Sequence, residues 1–576
     1  MADVATRAGW VGRVRNLHWR DVFSLQGLII AGSLLVVGYF ALVPLSRLLY
    51  GTFYDGQSLT LDFFSEAYSQ YRIVEMAGNS FVFAVGSTVL AVSVGTTLAY
   101  LNVRTDVPLK RLIFAASLVP LIIPGILHTI AWIFLASPRI GLINKVIEPV
   151  FGPGTLDIFT MPGMIFIEGL HLSPLVFLLM VAAFKSMDPS LEESALSSGA
   201  RLPTVIRRVT LPLVKPALFA SILIIMVRGL ESFEVPQLVG IPAGVWVFTS
   251  RIFNALRTYP IEYGNAGALA TSLLVITSIG VFLQSRFSGK GKRYQTVTGK
   301  GFRPRPMELG RWRKPATIAV FAYFFIAVVL PVAMLVWVSM LPYYRLPSPE
   351  AISSMTLENY RFTLTNTQSL RALRNSFALG IGSATVVMLV MSVVAWVVVR
   401  TRLKGRWLID NLAFLPLTIP GLVLGVALLF VYLRLPLPIY GTLWILFIAY
   451  FTRYMPYGMR YATTSMYQIS GELEESARVS GASWWQGFRR IMLPLLVPGL
   501  VAGWIYIVTV SVRELSSSIL LYSPGNEVLS ILIFEQWNNG QTNELAALGV
   551  IMVLSLVALV FVASRLGAKI GVREAP

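Results

Sequence analysis

The sequence predicts an all-α polytopic membrane protein with about twelve transmembrane helices, arranged as two parallel six-helix repeats. Three observations lead to this fold class: an apolar composition, long hydrophobic runs and an internal duplication. Of the 576 residues, 55% are hydrophobic and only 13% are charged, and the mean hydropathy is +0.70. Soluble domains carry about 25% charged residues, so the composition argues against a water-soluble enzyme.

Hydrophobic runs of about twenty residues, the length that crosses a bilayer as a helix, recur along the chain. We expect spans at residues 23–50, 79–102, 112–136, 161–185, 211–230, 265–285, 316–341, 375–399, 408–433, 440–463, 494–512 and 543–564. Most of the 47 Lys and Arg residues fall in segments that are cytoplasmic if the N-terminus is inside. Because cytoplasmic loops are enriched in Lys and Arg, we predict that both termini are cytoplasmic.

The duplication is visible in short motifs that repeat after 296 residues: Asn79-Ser80-Phe81 as Asn375-Ser376-Phe377, Arg104-Thr105 as Arg400-Thr401, and Pro124-Gly125 as Pro420-Gly421. Further along, residues 191–216 match 473–498 after 282 residues, with 14 of 26 positions identical. The second half is therefore shorter by fourteen residues, which we assign to the outer loop around 137–160. Two halves of six helices each enter the membrane in the same orientation, so the repeat is parallel.

The boundaries follow from this repeat. The first half is residues 1–285, the second is 316–576, and a linker at 286–315 joins them. The linker holds several Gly and Pro residues and has ten Lys or Arg residues against one acid, Glu308, within 285–315. We interpret it as a solvated cytoplasmic segment that touches anionic headgroups.

A cytoplasmic block occurs once in each half, at 187–212 and 469–494. The first copy reads Leu191-Glu-Glu-Ser-Ala-Leu-Ser-Ser-Gly-Ala200 and the second Leu473-Glu-Glu-Ser-Ala-Arg-Val-Ser-Gly-Ala482; each continues through two arginines to Leu-Pro. Ser190 and Glu193 have capping-box spacing, which predicts a short helix starting there. Gly199 and Gly481 are placed to end these helices in the left-handed conformation.

These blocks closely resemble the EAA loops of ABC importer permeases, with serine in place of the middle alanine. The resemblance implies the type I ABC importer permease fold and makes the blocks ATPase-coupling elements, here named the first and second EAA loops. The coupling residues it implies are Glu192, Glu193, Ala195, Gly199, Glu474, Glu475, Ala477 and Gly481.

The chain contains no Walker A sequence, so we expect a separate ABC ATPase subunit, in two copies to match the two EAA loops, to act on ATP and magnesium. The chain itself is then a transport subunit that binds no cofactor and is not an enzyme. By resemblance, a periplasmic binding protein delivers the cargo, and the chain lies in the bilayer of the bacterial inner membrane. The charge of +19 is explained by cytoplasmic loops, and no nucleic-acid partner is expected.

Several phrases resemble the fused permeases of ferric-iron importers, among them Glu231-Ser-Phe-Glu-Val-Pro-Gln-Leu-Val-Gly240 and Arg453-Tyr-Met-Pro-Tyr-Gly-Met-Arg460. Ferric iron moved by alternating access is therefore the expected cargo and mechanism. Polyamine, thiamine, sulfate and aminoethylphosphonate stay open as cargoes of the same machine. A proton-coupled twelve-helix secondary transporter is a further alternative, but its loop motif between the second and third helices is absent from 102–111. A channel lacks any filter-like segment.

Ionisable residues near the predicted spans are candidates for the translocation path, because such residues usually face a cavity and ferric ion prefers oxygen ligands. The candidates are Glu231, Glu234, Arg513, Glu514, Glu168 and His171. Two alternatives stay open: an Arg228–Glu231 ion pair that supports the loop, and a satisfied polar contact between Glu168 and His171.

Four tyrosines share one face of the tenth predicted helix: Tyr450, Tyr454, Tyr457 and Tyr461. This stripe is typical of a seam between helices, and a phenolate path is the alternative. The absence of cysteine and the presence of only 3 histidines argue against a thiolate or histidine metal centre, and the sequence identifies no metal ligands.

Overall fold

The computed structural model describes residues 25–288, 306–401, 405–433 and 435–569. In the first half the helices are α1 Leu25–Phe53, α2 Asp62–Gln70, α3 Ile73–Arg104, α4 Lys110–Leu118, α5 Gly125–Ala136, α6 Leu142–Phe151, α7 Met161–Ser186, α8 Ser190–Ser197, α9 Leu202–Glu231, α10 Phe248–Arg257 and α11 Tyr263–Ser288.

The second half repeats most of this order. Its helices are α12 Gly310–Ser339, α13 Pro349–Ser353, α14 Glu358–Thr365, α15 Thr367–Arg400, α16 Arg406–Phe414, α17 Gly421–Tyr432, α18 Leu443–Tyr467, α19 Glu472–Val479, α20 Trp484–Val512, α21 Leu529–Asn538 and α22 Thr542–Lys569. Helix α6 lies in the loop where the fourteen extra residues were expected, and the residues described between Tyr432 and Leu443 contain no counterpart.

Within the described ranges, nine helices are long and apolar enough to cross a membrane, or up to eleven if two bent pairs each count as one span. Eleven of the twelve expected spans correspond to these helices and pairs. The remaining one is α18, which is 25 residues long and is absent from that count. Its lower hydropathy follows from Arg453, Arg460 and its tyrosines.

The spans expected at 112–136 and 408–433 are not continuous helices, which corrects that prediction. The chain bends by 96° between Leu121 and Gly125, and by 106° between Thr418 and Gly421. The cause is the repeated proline. Pro124 and Pro420 supply no backbone N–H and adopt extended ψ angles of 140° and 143° immediately before the following helix.

The first helix of each half packs on the other half. Helix α1 contacts α16 and α17, while α12 contacts α5. The apolar core is therefore shared, and one large cluster of buried side chains contains residues of both halves. Residues at both bends, among them Leu121 and Ile419, line one cavity where the halves meet.

Most of the described linker residues between 306 and 315 are exposed, as in a solvated segment, but two are buried. Residues 289–305 lie outside the described residues, but Met307 and Leu309 are buried, at 9% and 8% exposure. Met307 forms an isolated parallel bridge with Thr105, so the end of the linker is attached to the first half.

Candidate functional site: two repeated loops and a central cavity

Each EAA loop begins with a short helix, α8 or α19. The capping box expected from Ser190 is not formed, because Ser190 is already the first helical residue and Pro189 precedes it. Instead, Asp188 accepts the backbone N–H of Ser190 at 2.9 Å, and this bond lowers the pKa of the Asp188 carboxyl. In the second loop, Ser470 accepts the N–H of Glu472 at 3.3 Å, and it lies 282 residues after Asp188.

Both helices end as predicted, on a left-handed glycine. Gly199 has φ of +83° and Gly481 has φ of +81°. The N–H of Ala200 reaches the carbonyl of Ala195 at 3.1 Å, and Ala482 reaches Ala477 at 3.0 Å. These six-to-one bonds are those of a Schellman motif, so the two alanines act here through their backbone carbonyls.

The first of the two glutamates in each motif faces inward. Glu192 is 3% exposed and pairs with Arg104, the last residue of α3, whose Nε donates to Oε2 at 2.9 Å. Thr210 donates to the other carboxylate oxygen. A buried carboxylate needs such partners, because an unpaired buried charge is strongly destabilising. Glu192 therefore fastens α8 to the end of α3.

The second loop repeats this arrangement with a different supporting donor. Arg400 Nε lies 3.1 Å from Glu474 Oε1, and Trp396 Nε1 donates to Oε2 at 3.4 Å. Arg400 also donates to the carbonyl of Met466 at 3.0 Å. Glu192 and Glu474, predicted as coupling residues, thus hold their loops in place in this conformation.

The second glutamate faces outward in both loops, since Glu193 and Glu475 are exposed. The exposed arginine pairs follow at 207–208 and 489–490, each within a π-helical turn, Ile206–Thr210 or Phe488–Met492. A π turn suits this place because the proline that follows has no N–H to complete the regular ladder. Each loop therefore presents its second glutamate and its arginine pair on its outer surface.

A cavity of about 540 Å³ lies between the halves, and all six candidate path residues line it: Glu168, His171, Glu231, Glu234, Arg513 and Glu514. Five further charged or phenolic groups join them: Arg228, Arg453, Tyr454, Tyr457 and Tyr506. No sequence pattern indicated that Arg453 would line the cavity, although it occupies the position 282 residues after His171.

Most charges on the cavity wall are paired. Arg453 Nε lies 3.1 Å from Glu514 Oε2, and Arg228 Nη1 lies 3.4 Å from Glu231 Oε2. An ion pair with Arg228 and a position on the cavity wall were alternatives for Glu231. In the structure Glu231 has both.

Two arginines of the cavity wall form hydrogen bonds that cross between the halves. Arg228 of the first half donates to the hydroxyl of Tyr457 at 2.5 Å. Arg513 of the second half donates to the carbonyl of Leu121 at the first bend. The cavity wall therefore changes whenever the halves move relative to each other.

At each bend, a glycine lies next to side chains of the cavity wall. A Cβ built on Gly421 would lie 2.7 Å from Arg453 Nη1, whereas one built on Gly125 would lie 3.4 Å from His171 Nε2 and 3.6 Å from Glu234 Cδ. Only a residue without a side chain allows Arg453 to lie this close to the second bend.

Glu168 and His171 contact other partners rather than each other. Glu168 accepts the Ser232 hydroxyl at 2.9 Å, and His171 lies against His128 with ring centroids 5.6 Å apart. Among the described residues, no group of three or more His, Cys, Asp or Glu side chains is arranged to hold a metal ion. The wall is thus a mixed lining of acids, arginines and phenols.

The tyrosine stripe of α18 is divided between the seam and the cavity. Tyr450 is buried and hydrogen-bonds to Ser518 at 2.9 Å, while Tyr454 and Tyr457 line the cavity. Tyr461 packs against Tyr506 with ring centroids 6.0 Å apart.

Comparison with known proteins agrees with this architecture. The family model described as binding-protein-dependent transport system inner membrane component matches twice, at residues 87–287 and 389–571. Fe(3+)-transport system permease protein FbpB 2 of Haemophilus influenzae is 28% identical over 82% of this chain and 85% of its own length.

Two other relatives differ in the cargo that they are named for and in the share of this chain that they match. Ferric transport system permease protein FbpB of Actinobacillus pleuropneumoniae is 22% identical over 94% of this chain and 78% of its own. Putative 2-aminoethylphosphonate transport system permease protein PhnV of Salmonella paratyphi A is 31% identical, over 30% of this chain and 68% of its own.

Two matches of one family, covering more than half of the residues, agree with the two structural halves and the two EAA loops. The relatives are transport permease subunits by name, and such subunits are not themselves enzymes. This chain is a multi-pass, all-α permease with a fused repeat, and it belongs to the family of inner membrane components of binding-protein-dependent transport systems.

Proposed function

We propose that this permease moves ferric iron into the cytoplasm by alternating access, driven by two copies of an ABC ATPase. The observation that carries the proposal is the combination of two outward-facing repeated loops with one charged cavity between the halves. Six of the expected spans, from 211–230 to 440–463, separate the EAA loops, so both loops lie on one side of the membrane if each span crosses once. Lys and Arg enrichment favours the cytoplasm for that side and for both termini.

In this scheme the ATPase subunits contact the exposed faces of α8 and α19, where Glu193 and Glu475 lie. Closure of the ATPase pair draws the two loops together. Each loop transmits the movement through its buried ion pair, Arg104–Glu192 or Arg400–Glu474, to α3 or α15. The halves then move relative to each other, and the hydrogen bond from Arg228 of the first half to Tyr457 of the second half forms in one state and breaks in the other.

Ferric iron as cargo is supported by the names of the relatives that align over most of the chain and by four cavity carboxylates: Glu168, Glu231, Glu234 and Glu514. Oxygen ligands suit this hard cation.

A second candidate cargo is an aminoethylphosphonate. It is favoured by the arginines of the cavity wall, Arg228, Arg453 and Arg513, since guanidinium groups bind oxyanions. The relative named for that transport aligns with 30% of this chain.

Uptake by cells that lack this gene distinguishes the two cargoes. We expect the wild-type chain to restore uptake of radiolabelled ferric iron supplied as its citrate complex, and not uptake of labelled 2-aminoethylphosphonate. Restoration of phosphonate uptake alone, by a chain expressed at normal level, would overturn the iron assignment and leave the permease assignment standing.

A further inference from the structure

The end of the linker is fastened to the same point that holds the first EAA loop. We call residues 307–313 the tie segment. The N–H of Met307 donates to the carbonyl of Arg104 at 2.8 Å, and the N–H of Asp106 donates to the carbonyl of Met307 at 3.1 Å. Arg104 is also the partner of Glu192. The tie segment therefore bonds to the backbone of Arg104, and the side chain of Arg104 pairs with Glu192 of α8.

Asp106 forms the second attachment. Its Oδ1 accepts the N–H of Leu309 at 3.0 Å, and its Oδ2 lies 3.5 Å from Arg313 Nε. Leu309 is buried in a cluster that also contains Val107 and Met187, next to the start of the first EAA loop. Both polar and apolar contacts thus join the tie segment to the first half.

The tie segment leads directly into the second half. Gly310, with φ of +52°, begins α12, and Arg313 lies in its first turns. Helix α12 in turn packs on α5 and α22. If the first EAA loop displaces Arg104, we therefore expect both α3 of the first half and α12 of the second half to move with it.

The second EAA loop differs from the first in the sequence that follows its anchor. Its anchor, Arg400, donates to the carbonyl of Met466 within the second half. In sequence, the position 296 residues after Asp106 is Arg402, so the acid that holds the tie segment is not repeated.

We propose that Asp106 is a positioning residue for transport: through the tie segment it makes the first EAA loop and α12 move as one unit, so that one ATPase contact drives both halves. The proposal rests on the assignment of the EAA loops as coupling elements.

The test is the number of ATP molecules hydrolysed per ferric ion transported, measured in proteoliposomes that contain the full complex. Asp106→Ala removes the acceptor of Leu309 and the partner of Arg313. We expect this ratio to rise about fivefold, near the lower end of coupling effects between sites, while the ATPase still co-purifies with the permease. Asp106→Asn, which keeps an acceptor oxygen, should stay close to wild type.

A reversible cross-link provides the decisive control, because the chain has no cysteine of its own. Thr105 and Met307 are paired across a parallel bridge, and neighbouring strands lie about 4.8 Å apart, within the Cα separation of about 4.4–6.8 Å that a disulfide spans. When Thr105→Cys and Met307→Cys are added to the Asp106→Ala variant, oxidation should return the ratio of ATP hydrolysed to iron transported to the wild-type value. Reduction of the disulfide should raise the ratio again. The same cysteine pair with native Asp106 is the matched control.

If Asp106→Ala does not accumulate, the exposed Arg313→Glu variant takes its place, and the same rise with the same rescue is expected. An unchanged ratio in whichever variant is measured, or a disulfide without effect, would overturn the role of the tie segment. Loss of ATPase co-purification would instead point to the loops themselves, and would also count against Asp106 acting only as a positioning residue.

Discussion

Arg104 and Glu192 form a buried ion pair between the last residue of α3 and the third residue of α8. Arg400 and Glu474 form the corresponding, half-buried pair in the second half. The partners are 88 residues apart in the first half and 74 apart by number in the second. A surface helix held in this way moves with the membrane helix to which it is paired. The pair is thus the structural link between the loop surface and the cavity.

Removal of one partner should be worse than removal of both. Arg104→Met leaves the buried Glu192 carboxylate unpaired, and we expect a loss of about 3–5 kcal/mol in the stability of the loop against local opening. The double variant Arg104→Met with Glu192→Met should recover much of this loss. Hydrogen exchange of residues 190–200 in detergent-purified protein measures it, and equal protection in wild type and the single variant would contradict the role of the pair.

The two bends should tolerate alanine unequally. In Gly421→Ala the new Cβ would lie 2.7 Å from Arg453 Nη1, so Arg453 must move and its contact with Glu514 is disturbed; Gly125→Ala meets its nearest atom at 3.4 Å. We expect a clear loss of uptake for Gly421→Ala and a small one for Gly125→Ala at equal expression. Equal uptake by the two variants would show that the position of Arg453 is unimportant for transport.

The left-handed glycines should tolerate asparagine better than alanine or valine. No atom lies within 4 Å of a Cβ built on Gly199 or Gly481, so the penalty is conformational, about 1–2 kcal/mol per site for an ordinary side chain. We expect Gly199→Ala to lower the protection of α8 against hydrogen exchange, and Gly199→Asn to lower it less. The opposite order would contradict a conformational requirement at this position.

Much of this architecture could be predicted from the sequence, because hydropathy and repeats depend on local composition. The spans, the halves and the left-handed glycines belong to this group. The bends at Pro124-Gly125 and Pro420-Gly421 were visible as a repeated motif, yet the hydropathy of the segments continues through them. Only the extended backbone at the proline shows that each helix stops and restarts.

Which side chains are buried and which are exposed could not be predicted from local sequence in the same way. Of the two adjacent glutamates in each loop, the first is buried (Glu192) or half-buried (Glu474) and the second is exposed, and the difference depends on an arginine distant in sequence. Arg104 and Arg400 did stand out as a repeated pair, which was the available signal. No local pattern indicated the tie segment, because Met307 and Asp106 meet only through tertiary packing.

The most direct test of the central claim is ATP-dependent uptake of radiolabelled ferric iron into proteoliposomes containing this chain, its ATPase and its binding protein. Glu193→Lys with Glu475→Lys changes only exposed side chains, so we predict normal insertion and stability but loss of most uptake. Glu358→Lys, at another exposed glutamate, is the matched charge reversal and should transport like wild type. Uptake by the double variant at the wild-type rate would contradict the coupling role of the EAA loops.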